Sequence, residues 1–124
     1  MQKTIFLVED NKQYAEVIKL HLEQAGHRVH IAYDGETALQ SVGGIKPDII
    51  FLDVMLPGID GITICAKLKG DPDLKAIPIV MLTGRTAVKD VDEALRAGAE
   101  DYISKLDNIE TIWAQIDEKI ERYA

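Results

Sequence analysis

Cysteine is nearly missing from this chain: Cys65 stands alone among 124 residues. A single thiol excludes an internal disulfide and a cysteine-based zinc site, and it fits a reducing cytoplasm. Long hydrophobic runs are missing too, so nothing approaches a membrane span. The opening stretch MQKTIFLVED lacks a small-residue cleavage site and reads as a first strand rather than a secretory signal. No cluster of Lys and Arg stands out against the net charge of −7. That argues against direct binding to nucleic acid or to an anionic membrane surface. There is also no internal repeat, low-complexity segment or interdomain linker. The expectation is one domain over 1–124, with a core of about 3–122.

At this length, with 47% hydrophobic residues, a chain can bury a core unaided by disulfide or metal. Four stretches look like strands buried on both faces: Thr4–Val8, Asp48–Leu52, Ile79–Leu82 and Asp101–Ser104. A weaker one covers Val29–Ala32. Their near-continuous apolar runs are what parallel strands require. Helical patterns lie between them. Ala15, Ile18, Leu22 and Ala25 repeat at helical spacing before Gly26. Glu36–Val42 precedes Gly43 and Gly44, read as a stop, and Ile62–Leu68 precedes Gly70. Val88, Val91 and Leu95 share a face closed by Gly98, and Ile109, Ile112, Ile116 and Ile120 form the last stripe. Alternating strand and helix predicts a doubly wound α/β fold with helices on both faces of a parallel sheet.

In such sheets function gathers at the carboxyl ends of the strands. The first strand ends in Glu9-Asp10, the third in Asp53, the fourth in Thr83-Gly84 and the fifth in Lys105. Tyr33-Asp34-Gly35 after the second reads as a plain turn. Three converging carboxylates repel and need neutralising. Mg²⁺ suits hard oxygen ligands, and no His or Cys lies near the rim to favour zinc. A carboxylate beside Mg²⁺ can act as a nucleophile toward phosphorus, with a lysine and a hydroxyl holding the phosphoryl oxygens.

The motifs VEDN (8–11), DVMLPGIDG (53–61), MLTG (81–84) and AEDYISK (99–105) resemble the receiver domains of two-component response regulators. The likeness covers nearly the whole chain. It implies a flavodoxin-like (βα)5 fold with a five-stranded sheet of order 2-1-3-4-5. It implies that Asp53 accepts a phosphoryl group from a phosphohistidine on a histidine kinase or a histidine phosphotransfer protein. Asp10, Asp53 and the backbone carbonyl of Met55 would hold Mg²⁺, with Glu9 acting through a bound water. Thr83 would hydrogen-bond the phosphoryl group, Lys105 would pair with it, and Tyr102 would turn inward when Thr83 moves. The face of the fourth helix, fifth strand and fifth helix would serve a downstream effector or a homodimer, and Trp113 is expected there.

The chain is therefore expected to be a signalling switch rather than a metabolic enzyme. A degenerate receiver, acting only as an interaction module, is the alternative. An aspartyl-phosphate phosphohydrolase would usually carry a second acid where Met55 stands, and a flavodoxin-like cofactor site would not place Glu9 and Asp10 against a flavin phosphate. Leu106 stands where the family usually has proline after the lysine. No effector domain follows Tyr123-Ala124, which leaves a stand-alone receiver or a piece of a longer chain.

Other residues carry plainer expectations. Capping of the first helix by Asp10 or Asn11 is the lesser reading beside the metal role of Asp10, while Asp60 caps the third helix and Thr86 is the better cap of the fourth. Gly61 permits a tight approach. Met55 and Arg85 flank the site where they could screen or admit water. Cys65 is buried and inert, and His21, His27 and His30 lie away from the rim. Tyr14 and Val17 add apolar surface to the first helix beyond one buried face, so Tyr14 is expected partly exposed beside the rim, contacting the histidine-bearing partner.

Overall fold

The structure, a computed structural model, describes residues 2–124. Strands β1 (Thr4–Val8), β2 (Arg28–Ala32), β3 (Ile49–Leu52), β4 (Ile79–Thr83) and β5 (Asp101–Ser104) alternate with helices α1 (Lys12–Gln24), α2 (Gly35–Ile45), α3 (Gly61–Lys69), α4 (Val88–Arg96) and α5 (Ile109–Tyr123). All neighbouring strands pair in parallel, in the order β2-β1-β3-β4-β5. The fold is the doubly wound one expected.

Strand periodicity sorts the core into two layers. Phe6, Val8, Ile50, Leu52, Ile79 and Met81 point to one side, against Ala38, Val42, Ile64, Cys65, Leu68 and Ala94 from α2, α3 and α4. Ile5, Leu7, Ile49, Phe51, Val80 and Leu82 point to the other, against Ala15, Ile18 and Leu22 of α1 and Ile112, Ile116 and Ile120 of α5. Because both faces of the sheet centre are covered, both parities of β1, β3 and β4 are buried, whereas the edge strands β2 and β5 carry polar residues that stay exposed or half-buried. Each large side chain removed from water contributes about 1.5–3 kcal/mol.

Four local expectations are corrected. Helix α2 runs through Gly43 and Gly44 and closes one turn later, where Lys46 adopts a left-handed conformation and donates its N–H to Val42 O. A glycine costs a helix only about 1 kcal/mol, and buried Val42 anchors this turn. Ala25 is the C-cap of α1 and is exposed. In α4 the buried residue is Ala94, whereas Val88 is 86% exposed and Leu95 47%. The apolar stripe of that helix therefore faces outward. Finally, Ala87 rather than Thr86 is the N-cap of α4, with no side-chain hydrogen bond. An uncapped start forgoes about 1 kcal/mol, which leaves the first turn of α4 weakly held. No helix among the described residues is long and apolar enough to cross a membrane.

Candidate functional site at the carboxyl ends of the strands

The strand order reverses at β1, whose neighbours β2 and β3 lie on either side, and crevices form at such switch points. The register pairs Val8 with Leu52, so the residues that follow, Glu9 and Asp53, emerge level with each other. Their backbones are pinned: Glu9 N–H donates to Ala32 O at 3.0 Å and Asp53 N–H to Val8 O at 3.1 Å. Asp53 is only 5% exposed and Glu9 1%, while Asp10 is exposed. Behind Asp53, the start of α3 comes close enough that a Cβ on Gly61 would lie 2.0 Å from Asp53 O. Gly61 thus has the packing role expected of it. Asp60 caps α3, its carboxylate accepting from Thr63 N.

Lys105 reaches in from the end of β5, where its N–H donates to Thr83 O at 2.9 Å. Its Nζ donates to Asp53 Oδ2 at 2.8 Å and also to Glu9 Oε1. Glu9 Oε2 accepts from Asn11 N at 3.0 Å, and Asp53 Oδ1 from Met55 N at 3.1 Å. Burial pushes the Glu9 carboxyl above its ordinary value, and the bonds from Lys105 and Asn11 pull it only part of the way back. Burial would lower Lys105, but the two carboxylates outweigh it and hold the ammonium charged above its usual range. Thr83 is fully buried, and its Oγ1 accepts from Arg85 N at 3.2 Å.

A buried carboxylate bonded to a lysine, with an acidic pair beside it and a hydroxyl on the next strand, is the arrangement that the motifs imply. A family model for the response regulator receiver domain matches residues 5–117. The chain belongs to that family. The DNA-binding response regulator MtrA of Mycolicibacterium paratuberculosis is 36% identical over 98% of this chain and 53% of its own length. The chain thus spans about half the length of the curated relatives it matches. Among solved structures, the phosphorylated cyanobacterial phytochrome response regulator RcpA has a TM-score of 0.86 at 32% identity, covering 99% of this chain and 94% of that one. The Mn²⁺-bound response regulator Rcp1 has a TM-score of 0.81 at 32% identity, covering 94% and 91%.

The receiver's acidic rim fits a divalent cation on its own chemistry. One carboxylate oxygen from each of Glu9, Asp10 and Asp53 lies within 4.8 Å of the others. Three carboxylates and the one ammonium of Lys105 leave a formal charge of −2, and all the donors are hard oxygens.

Asn11, read as one of two possible caps, is the N-cap of α1, its side chain accepting from Tyr14 N at 3.0 Å. Tyr14 is half-buried beside the rim, and Val17 is 49% exposed. Sequence reasoning missed that Lys105 Nζ lies over the Tyr14 ring, 4.7 Å from its centroid. It also missed that the half-buried Tyr102 donates its hydroxyl to Arg85 O, linking β5 to the loop after Thr83. Neither pairing leaves a local signal, since each joins segments far apart in sequence. Asp34, taken for a turn residue, caps α2. Trp113 lies elsewhere than expected. Its ring stacks on His21 of α1, with centroids 4.4 Å apart and planes 6° from parallel. His21 Nε2 also lies 3.0 Å from Asp117 Oδ1. Trp113 therefore faces the α1–α5 seam. Met55 and Arg85 are exposed at the mouth of the site. Cys65 is buried and its thiol is pushed up to about 11 by burial. Among the described residues no peptide bond is cis, so Lys105–Leu106 is trans.

Proposed function

We propose that residues 1–124 act as a single phospho-accepting switch, with Asp53 as the acceptor. The observation that carries this reading is the buried Asp53 carboxylate, bonded to Lys105 and level with Glu9 and Asp10. An Asp53 oxygen attacks the phosphorus of a phosphohistidine on a histidine kinase or phosphotransfer protein. The P–N bond breaks, its electron pair returns to the imidazole, and an acyl phosphate forms on Asp53. Asp10, Asp53 and the Met55 carbonyl would hold Mg²⁺, with Glu9 acting through water; the ion would supply positive charge to the phosphoryl oxygens. Lys105 pairs with the same oxygens and Thr83 donates its hydroxyl to them.

Docking uses the rim-side end of α1, through the exposed Val17 and the edge of Tyr14. The signal leaves through Thr83. Its movement pulls the loop 83–86 inward, and Tyr102, already bonded to Arg85 O, moves with that loop. The weakly held start of α4 and its outward stripe, Val88 and Leu95, make the α4–β5–α5 face the surface that meets a downstream effector or a second copy. The reading is that of a cytoplasmic signalling domain, without direct contact to nucleic acid and without metabolic turnover.

The test is mass spectrometry after incubation with acetyl phosphate and Mg²⁺. One phosphoryl mass is expected, and it should be absent with EDTA or in Asp10→Ala. Undiminished phosphorylation under EDTA would overturn the metal role.

A further inference from the structure

A closed ring of contacts surrounds the Lys105 side chain. Glu9 Oε1 accepts from Lys105 Nζ. The ammonium sits over the face of Tyr14, 4.7 Å from its centroid. Tyr14 N donates to Asn11 Oδ1 at 3.0 Å, and Asn11 N donates back to Glu9 Oε2 at 3.0 Å. We infer that Tyr14 is a positioning residue for Lys105, its ring face holding the ammonium at the rim for the phosphoryl group.

Three observations carry this. First, the residues that follow the lysine lie at the surface. Leu106 is 73% exposed, and Asp107 and Asn108 are exposed as well. A lysine stem has four rotatable bonds, so an ammonium that must meet a phosphoryl oxygen needs a fixed seat. Second, the ring lies within the roughly 6 Å at which a cation is attracted to an aromatic face. It is itself fixed, because the Asn11 cap fixes its backbone and the α1–α5 core packs against it. Third, the Tyr14 hydroxyl is buried with no hydrogen-bond partner. It contributes nothing that a phenylalanine would lack, so the face of the ring is the functional part.

The ring also serves when the other partners leave. Glu9 and Asp53, which bind Lys105 here, are the carboxylates that a cation and a phosphoryl group would engage. The Tyr14 face remains free to keep the ammonium in place. This inference rests on the phospho-acceptor reading, and the experiment keeps the two apart.

The experiment replaces Tyr14 with Phe, then with phenylalanines carrying one, two and three ring fluorines, and with Leu. Fluorination drains negative charge from the ring face while nearly preserving its shape, so folding and packing are retained. The single-turnover rate of phosphorylation by acetyl phosphate with Mg²⁺ in Tyr14→Phe sets the reference for the series. It should fall steadily along the fluorinated series and drop about two- to tenfold in Tyr14→Leu. In parallel, the Lys105 ε-methylene protons should be shifted upfield in wild type and Tyr14→Phe, and return to ordinary positions in Tyr14→Leu. A flat rate across the fluorinated series, or an ordinary Lys105 shift in wild type, would overturn the inference. Failure of the wild type to take phosphate would instead overturn the phospho-acceptor reading, and the proton shift would still decide the contact.

Discussion

Lys105 Nζ lies 2.8 Å from Asp53 Oδ2, joining the end of β5 to the end of β3 across β4. This bond compensates the burial of a carboxylate, which is costly unless it is paired. It also places the ammonium beside the proposed acceptor before any phosphate arrives.

Two acids, Glu9 after the end of β1 and Asp101 at the start of β5, should titrate with opposite sign. Glu9 has a folded value raised above its unfolded 4.5. The native state therefore holds a proton that the unfolded chain releases, and this group's contribution to stability falls as pH rises from 4.5 through the folded value. Asp101 is the reverse. Burial would raise it, but bonds from Lys119, Tyr102 N and Tyr123 hold it below the ordinary value. Its contribution is present above the unfolded value and lost as pH falls through the folded one. Urea unfolding across pH 3–8 should show a flattened high-pH slope in Glu9→Gln. Asp101→Asn should cost about 1–2 kcal/mol at neutral pH, with the loss vanishing in acid. A Glu9→Gln curve parallel to wild type would count against the buried-acid assignment.

The switch prediction concerns Thr83 and Tyr102. With beryllofluoride bound as a phosphoryl mimic, amide exchange should change across 85–97 and 101–105. Thr83→Ala should still take phosphate on Asp53, yet lose that response. Tyr102→Phe, lacking the bond to Arg85 O, should exchange faster over 84–87 even without the mimic. An undiminished response in Thr83→Ala would remove this route.

Gly61→Ala tests the seat of Asp53. Its new Cβ meets backbone rather than a movable side chain, at 2.0 Å from Asp53 O and 2.8 Å from Val54 Cα. The start of α3 must back away, at a cost of about 1–3 kcal/mol. Phosphorylation should slow as Asp53 moves from Lys105. Unchanged stability and rate would show that this approach is not needed.

Val17→Glu is the cleaner probe of docking, because Tyr14 also touches Lys105. Transfer from a phosphohistidine donor protein should slow, while transfer from acetyl phosphate should hold. Equal losses with both donors would place the defect in the site rather than the surface.

The strands and the rim were legible in the sequence for one reason. Central parallel strands covered on both faces must be apolar, so Glu9 and Asp53 mark the ends of β1 and β3 as the first charged residues, while Lys105 follows the edge strand β5 directly. The α4 stripe misled because an apolar helix edge reads alike whether it meets the core or a partner, and here Ala94 takes the core side. Gly43 and Gly44 misled because local propensity yields to the anchoring of Val42. The contacts of Lys105 with Tyr14, and of Trp113 with His21, were out of reach. They arise where α1 meets the end of β5 and α5, and no spacing within either segment encodes them.

The central claim is the acceptor itself. After incubation with acetyl phosphate and Mg²⁺, borohydride reduction converts an aspartyl phosphate to homoserine, and peptide sequencing then reads its position. Homoserine is expected at position 53, and none in a chain carrying Asp53→Asn. Homoserine at position 10, or phosphoryl mass retained in Asp53→Asn, would contradict the account.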